Sequence, residues 1–576
     1  MTVARTGEPT RQQPLRLWPG VVLVVLAWLA RLGLPLFGPV AGAIGAMSGL
    51  LCWLAIVVWW ALFSRAPRAE RWGAVVLMIV ALIATRSILH ESIARAGMGM
   101  SFFIYVTPVL SLAFVVWALA RRRLTVKLGR AAMVAAILLA CGVWALFRIN
   151  GITGEGASDF AWRWAETHEQ RLLAQTRGEP ASLPSPGAAP GTQAEWPGFR
   201  GPGRDGIVPG VRIGTDWSTS PPVELWRRAV GPGISSFAVR GDYLYTQEQR
   251  GDDEVVTCYN ATSGELAWTH RDAVRFWDPH AGAGPRATPA LGDGRVYTLG
   301  GTGILNALDA ADGTVVWSRN AATDTEAKVP DWGFTSSPLV LDDVVIVNAG
   351  ALVAYDLAAG DRRWSGPAGG SYSSPHLLTI DGVPQILMLT GAGVTSVAPA
   401  DGTKLWEHPW PSGIVQPAVT VDGDVLVGGS GLTGGSGIRR IALEHGPGGW
   451  ATRERWTSRG LKPNFNDFVV HEGHAFGFDG SILACIDLAD GERKWKGGRY
   501  GNGQLLLLTD QDLLLVVSEQ GELALVAAAP ERFTELARFP AIEGKTWNHP
   551  VLVGDLLLVR NGQEMAAFRL PLAAGG

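Results

Sequence analysis

Nine residues between positions 286 and 549 have side chains suited to holding a ligand. They offer one guanidinium, one carboxylate, aromatic rings and several amides, which suit a planar anionic ligand or an extended peptide. The carboxylate, Asp467, is the candidate general base if the protein is an enzyme. The other eight are candidate ligand-binding residues: Arg286, Trp332, Tyr372, Gln416, Asn466, Trp547, Asn548 and His549.

Three interpretations of this set remain open. A planar acidic ligand would stack on one of the tryptophans and pair with Arg286. An extended peptide would use the same aromatic and amide groups. Alternatively, the side chains only fill the centre of the fold and satisfy strand amides.

A second pair of residues has the chemistry of a metal site. His471 and His474 flank a Glu-Gly turn, and a two-residue hairpin would place them opposite each other. Because the sequence offers no third ligand, we predict an exposed cross-strand pair and no metal site.

Internal repeats indicate the elements that position these residues. In five segments a glycine is followed four residues later by a tryptophan, and in four of them Asn or Asp stands four residues before the glycine. The Asx side chain caps a turn, the glycine adopts positive φ, and the tryptophan packs between neighbouring sheets. Weaker copies end at Trp456 and Phe539, and Trp226 precedes the first copy. The five full copies are Gly264/Trp268, Gly313/Trp317, Gly360/Trp364, Gly402/Trp406 and Gly491/Trp495.

The eight outer aromatic residues are 39 to 50 residues apart, which is the length of four short strands and their turns. Eight tight turns, such as Asp293-Gly294, give the same count. We therefore predict an all-β, eight-bladed propeller over residues 196–576. The strand at Trp226 should complete the last blade and close the ring, which removes exposed sheet edges. The nine candidate residues then meet at the mouth of the central channel.

Two segments resemble a known family. Residues 307–317 are similar to the tryptophan-docking repeat of pyrroloquinoline-quinone (PQQ) propellers, and residues 196–202 resemble the opening segment of bacterial PQQ-like repeat proteins. The resemblance covers residue 196 to about 570. It implies one of two activities. Quinoprotein dehydrogenases hold PQQ and Ca²⁺ in the channel and oxidise alcohols or sugars, whereas members such as the outer-membrane assembly lipoprotein bind peptides or proteins without a cofactor.

The sequence supports the second activity better. Helices ahead of a propeller do resemble the layout of membrane-bound glucose dehydrogenase, which passes electrons to ubiquinone. However, about 375 residues for eight blades leave little length for a cofactor pocket, and we identify no Glu, Asn and Asp set for Ca²⁺. We predict a binding or scaffolding module with envelope proteins or peptides as partners. The alternative is a PQQ- and Ca²⁺-dependent dehydrogenase.

The first 150 residues have the composition of a membrane domain. They contain 15 basic and 3 acidic residues, and their apolar runs approach the ~20 residues that span a bilayer. The five predicted all-α transmembrane helices are 17–37, 41–63, 72–90, 102–120 and 131–147.

Basic residues predict the orientation of these helices. Eleven lie in the N-terminal segment and in the loops after the second and fourth helices, against three on the other side. The positive-inside rule then places the N-terminus in the cytoplasm and the propeller in the periplasm, tethered to the bacterial inner membrane. The rest of the chain has 34 basic and 49 acidic residues, which argues against binding nucleic acid.

Residues 151–195 should join the membrane domain, 1–150, to the propeller. Ser158 is suited to cap a periplasmic helix that carries Phe160, Trp162 and Trp164 along the membrane interface. Residues 179–193 are rich in Pro, Ala and Gly, so they form the predicted linker.

Overall fold

The computed structural model describes residues 17–37, 39–176, 193–370, 372–410, 416–419, 422–429 and 436–573. Nearly all of the predicted linker lies outside these residues. The chain divides into two compact units. One comprises Met1–Asn150 and Ser158–Ala165, and the other comprises Gly151–Ala157 and Glu166–Gly576.

The first unit is helical. Among its described residues, five helices are long and apolar enough to cross a membrane, which confirms the five predicted segments: Trp18–Phe37, Ala41–Phe63, Arg68–Ile88, Ser101–Ala120 and Val126–Leu146. The α-helices of the described chain are α1 Trp18–Gly33, α2 Pro39–Phe63, α3 Arg68–Ile88, α4 Glu91–Arg95, α5 Ser101–Ala120, α6 Val126–Gly142, α7 His168–Gln175 and α8 Ala321–Asp324. Short 3₁₀ turns occupy Leu34–Phe37, Ala96–Gly99, Arg121–Arg123, Val143–Leu146 and Thr509–Gln511.

Aromatic packing and one ion-pair cluster join the helices. Trp60 is fully buried, and its ring meets those of Phe114 and Trp117 edge-on at 4.9 and 5.6 Å. Such pairs add about 0.5–1.5 kcal/mol beyond the area they bury. The buried Glu70 on α3 forms ion pairs with Arg121 and Arg130. Because a carboxylate among apolar helices is costly without a partner, the two arginines stabilise Glu70 at this position.

A hairpin follows the last helix, where the sequence predicted a helix starting at Ser158. Strands β1 Phe147–Ile152 and β2 Ser158–Trp162 form a two-stranded sheet. The predicted helix is therefore wrong at this position. The rings of Phe147 and Trp162 stack at 4.7 Å across the hairpin. A helix starting at Ser158 would separate these two rings. Helix α7 begins later, because Thr167 and Gln170 form a reciprocal capping box there.

The described part of the second unit forms eight antiparallel blades, as predicted. The first four, each given from the innermost strand outward, are Ala238–Arg240, Tyr243–Arg250, Asp253–Asn260 and Leu266–Asp272; Ala290–Gly292, Arg295–Leu299, Ile304–Asp309 and Val315–Asn320; Leu339–Leu341, Val344–Asn348, Ala351–Asp356 and Arg362–Ala368; and His376–Ile380, Val383–Leu389, Gly393–Val397 and Lys404–Pro409. The fifth to eighth are Ala418–Val419, Val425–Gly429, Gly437–Gly446 and Gly449–Ser458; Val469–His471, His474–Asp479, Ile482–Asp487 and Arg493–Arg499; Gln504–Leu508, Leu513–Val517, Glu522–Ala527 and Glu535–Pro540; and Val551–Val553, Leu556–Arg560, Glu564–Arg569 and Val223–Ala229.

The Gly-to-Trp repeat joins neighbouring blades. The indole of Trp268 in blade 1 donates a 3.1 Å hydrogen bond to the carbonyl of Ala310 in blade 2. Its ring lies against Gly313, where a Cβ would come within 2.4 Å of the indole. Glycine is thus required here for two reasons, the space taken by the indole and a φ of +75°. Trp406 differs, since its indole donates to Gln385 within blade 4.

Strand Val223–Ala229 closes the ring. It pairs antiparallel with Glu564–Arg569, so blade 8 contains one strand from the beginning of the domain and three from the end. This confirms the predicted closure. Two short strands, Trp277–Asp278 and Gly282–Ala283, form a separate hairpin, and Ile207–Val208 lies parallel to the innermost strand of blade 7.

Candidate functional site: the propeller channel

The opening segment, residues 196–206, lies across the channel. Arg200 donates to the carbonyl of Phe468 in blade 6 at 2.8 Å. Arg204 donates to the carbonyls of Ser337 and Pro338, which precede the inner strand of blade 3, at 3.0 and 2.8 Å. Burial lowers the pKa of Arg204 to about 9, and neighbouring Arg200 adds to this shift. Two buried guanidinium groups therefore bind main-chain oxygens on distant blades.

The candidate base Asp467 lies beside this segment. Its Oδ2 is 3.6 Å from Arg200 Nε, and its Oδ1 accepts a 2.6 Å hydrogen bond from the main-chain N–H of Gln416. Burial raises the pKa of Asp467, and Arg200 opposes the rise. Asn466, next to it, is fully buried, and its Nδ2 finds no partner among the described residues. The structure thus brings three of the predicted residues into the channel interior.

His549 is buried in the same region. Its Nδ1 lies 3.0 Å from the carbonyl of Pro550, and its ring meets Phe199 of the opening segment edge-on. Burial, reinforced by Arg200, lowers the pKa of His549 to about 3. The sequence did not single out His376, whose pKa burial and both arginines also lower to about 3. Both imidazoles are therefore neutral at physiological pH.

Two predicted ligand residues bind the protein's own chain. Arg286 pairs with Asp278 at 2.5 Å and donates to the carbonyls of Gly282, Ala283 and Gly284. Burial lowers the pKa of Arg286, and Asp278 opposes this. Asn548 donates to the carbonyls of Gly233 and Ser235 at 3.2 and 2.8 Å. These donors hold loops together.

Aromatic residues form a continuous half-buried surface, which we call the mouth. The rings of Trp332 and Tyr372 are 4.9 Å apart, and His280 lies 6.4 Å from Trp332. Lys545 donates to the carbonyl of His280 at 2.9 Å and lies 4.1 Å above the ring of Trp547. The mouth comprises His280, Trp332, Tyr372, Phe465, Asn502, Glu519, Lys545 and Trp547.

Sequence reasoning missed four residues of the mouth: His280, Phe465, Glu519 and Lys545. Of these, Glu519 is the carboxylate. Its Oε1 accepts from the indole of Trp547 at 2.8 Å, and its Oε2 accepts from the N–H of Asn502 at 3.1 Å. It follows the second strand of blade 7, whereas the sequence-based search covered only segments that enter the innermost strands. The loop between second and third strands reaches the same face of a propeller, and this topology is the signal that would have found it.

The predicted histidine pair lies elsewhere, at the tight turn of blade 6. His471 and His474 are direct cross-strand partners. His471 Nε2 lies 2.7 Å from Asp512 Oδ1, and these two residues with Glu472 form one group of potential ligand atoms within 4.8 Å. The structure supplies Asp512 as a partner that the sequence spacing did not reveal.

The repeats, the closing strand and the docked tryptophans together define a PQQ-like propeller. The family profile described as "Outer membrane protein assembly factor BamB" matches residues 217–372, 252–497 and 390–571. The chain therefore belongs to this family.

Individual relatives resemble parts of the chain. BamB of Shewanella oneidensis is 28% identical over 155 residues, which are 25% of this chain and 36% of that protein. The chain thus spans about a third of the length of this curated relative. The crystal structure of BamB from Moraxella catarrhalis shares 15% identity, with a TM-score of 0.42 over 61% of this chain and 98% of that one. Quinohemoprotein alcohol dehydrogenase from Comamonas testosteroni shares 14% identity, with a TM-score of 0.47 over 71% and 85%.

The channel residues do not fit PQQ with Ca²⁺. The guanidinium predicted to pair with a quinone carboxylate, Arg286, already pairs with Asp278. Calcium needs six to eight oxygens around one point. The carboxylates that we place near the channel have other partners: Asp467 faces Arg200, and Glu519 accepts from Trp547 and a main-chain N–H.

Proposed function

We propose that this protein is a membrane-tethered binding module whose propeller holds segments of envelope proteins at the mouth. The composition of the mouth supports this proposal. It combines paired aromatic rings with a buried carboxylate, Glu519, that accepts main-chain N–H groups. These groups recognise an extended or looped peptide, because rings bind apolar side chains and the carboxylate binds backbone donors.

The five apolar helices support a tether in the bacterial inner membrane. With the N-terminus in the cytoplasm, an odd number of crossings places the propeller in the periplasm. This orientation rests partly on Arg5, Arg11 and Arg16, which lie outside the described residues. The family name, an assembly factor of the outer membrane, supports periplasmic partners.

The test uses the full chain in lipid nanodiscs. Envelope proteins captured on it would be purified and titrated against the wild type, Trp332→Ala and a control, Trp450→Ala. Trp450 stacks on His445 in a hairpin of blade 5 and lies outside the mouth. We expect at least tenfold weaker binding for Trp332→Ala and wild-type affinity for the control. Equal affinities in all three would contradict the proposal, and so would saturable binding of PQQ with Ca²⁺ that raises the melting temperature.

A further inference from the structure

A segment of the protein's own chain lies in the mouth. Gly151–Ala157, which we call the tip, belongs to the second unit. The main-chain N–H of Gly154 donates a 2.7 Å hydrogen bond to Glu519 Oε1. This oxygen also accepts from the Trp547 indole, so the tip shares the mouth's carboxylate with the mouth's own tryptophan.

Further contacts hold the tip through its backbone. The N–H of Ile152 donates to the carbonyl of His280 at 3.4 Å, and Lys545 donates to the carbonyls of both residues at 3.4 and 2.9 Å. The ion pair between Glu155 and Arg499, at 2.6 Å, is the exposed side-chain contact of this set. The mouth therefore recognises main-chain groups of the tip, which is how a site accommodates peptides of varied sequence.

Gly154 fits the mouth because it has no side chain. A Cβ at this position would lie 1.8 Å from Nδ2 and 2.3 Å from Cγ of Asn502. Neither distance is compatible with any L-residue unless the tip or Asn502 moves. Gly156, two residues later, has open space around its Cβ position. The close fit therefore involves Gly154 and not Gly156.

We infer that the tip is a built-in occupant of the mouth, and that a peptide segment entering this site displaces it. The regulatory part of this inference rests on the proposed function, whereas the occupancy itself does not. A competing ligand must offer a backbone N–H to Glu519 next to a glycine or a similarly small residue. The apparent affinity of every such ligand is its intrinsic affinity multiplied by the fraction of molecules whose mouth is free of the tip.

The first experiment tests occupancy with cysteines in the full chain. Gly154→Cys and Asn502→Cys would be combined in a Cys52→Ala background, since the other three cysteines are buried. The Cβ position of Gly154 lies 2.9 Å from Asn502 Cβ, and a disulfide needs about 3.5–4.5 Å, so a small movement permits bonding. After mild oxidation, mass spectrometry should identify the linked peptides. The control pair, Gly156→Cys with Asn502→Cys, should link at least tenfold more slowly.

The second experiment tests displacement. The probe is a synthetic peptide with the sequence of residues 150–157, titrated against the wild type and Gly154→Gln, whose side chain expels the tip. We expect the peptide to bind Gly154→Gln at least tenfold more tightly than the wild type. The control Ala157→Gln, at an exposed position of the tip, should resemble the wild type. Equal linking rates for the two cysteine pairs would overturn the occupancy, and equal peptide affinities would overturn the displacement. Neither result depends on an envelope partner, so failure of the proposed function remains distinguishable.

Discussion

Buried ionisable residues of the propeller should make its stability depend on pH in opposite directions. Burial raises the pKa of Glu254 to about 7, despite hydrogen bonds from the N–H of Gly301. Burial lowers the pKa of His549 to about 3. Both residues are buried in the folded protein, so each pKa shift is a difference in proton affinity between the folded and the unfolded chain.

We predict that Glu254 destabilises the fold as pH rises. Between pH 4.5 and about 7, the folded protein keeps Glu254 protonated whereas the unfolded chain does not. The stabilisation that results is therefore complete below pH 4.5 and is lost as pH rises through about 7. The loss is about 3 kcal/mol in total. Melting curves of the wild type and Glu254→Gln between pH 4.5 and 8 check this. The stability difference should favour the variant increasingly towards pH 8, and a constant difference would contradict the prediction.

The prediction for His549 has the opposite sign. The unfolded chain binds a proton below its pKa of 6.5, whereas the folded chain binds one only near pH 3. The stabilising contribution is therefore complete above pH 6.5 and falls by about 2–3 kcal/mol between pH 7 and 4.5. His549→Gln should lose this part of the acid sensitivity in the same melting series. An unchanged acid slope in the variant would show that His549 titrates normally in the folded protein.

At the scale of elements, the glycines of the repeat have two separable roles. Gly313 and Gly294 are both in blade 2 and have φ of +75° and +72°. A Cβ on Gly313 would collide with Trp268 at 2.4 Å, whereas a Cβ on Gly294 meets nothing within 4 Å. Comparing substitutions at these two glycines therefore distinguishes the cost of backbone strain from the cost of disturbing the packing between blades.

We predict that Gly313→Ala destabilises the propeller more than Gly294→Ala. Both substitutions cost about 1–2 kcal/mol from the left-handed backbone conformation. Only the first adds overpacking against the tryptophan, at about 1–3 kcal/mol. Chemical denaturation of the two variants measures the difference. Equal losses would mean that the indole moves aside without cost.

Elements that a repeated pattern supports were predicted correctly from the sequence, whereas the element predicted from a single cap residue was not. Five helices and eight blades follow from apolar length and from the spacing of Gly and Trp, which many residues support at once. The helix at Ser158 failed because a local cap signal competed with ring stacking between Phe147 and Trp162, and cross-strand contacts are not visible in a linear pattern. Glu519 and the tip were missed for the same reason, since residues 154 and 519 meet only in the folded chain.

At the scale of the whole molecule, one strand holds the ring closed. Trp226 in Val223–Ala229 is buried, and its indole donates to the carbonyl of Ala261 in blade 1 at 2.9 Å. The strand therefore joins blade 8, through its ladder, to blade 1, through this tryptophan. Loss of this contact affects the closure of the whole ring.

We predict that Trp226→Ala destabilises the propeller by about 3–5 kcal/mol, as expected for the loss of a buried aromatic residue. Limited proteolysis of the full chain should then cleave blade 8 faster than in the wild type. Trp450→Ala, in the blade 5 hairpin, serves as the control and should leave the cleavage rate unchanged. Equal proteolysis rates for both variants would show that closure does not depend on the docked tryptophan.

The most direct test of the binding function is photo-crosslinking in living cells. A photoreactive phenylalanine would replace Tyr372 in the mouth or, as a control, the exposed residue Val316 on the outer strand of blade 2. The proposed function predicts discrete adducts with envelope proteins from position 372 that do not form from position 316. The same adducts from both positions, or none from position 372, would contradict it.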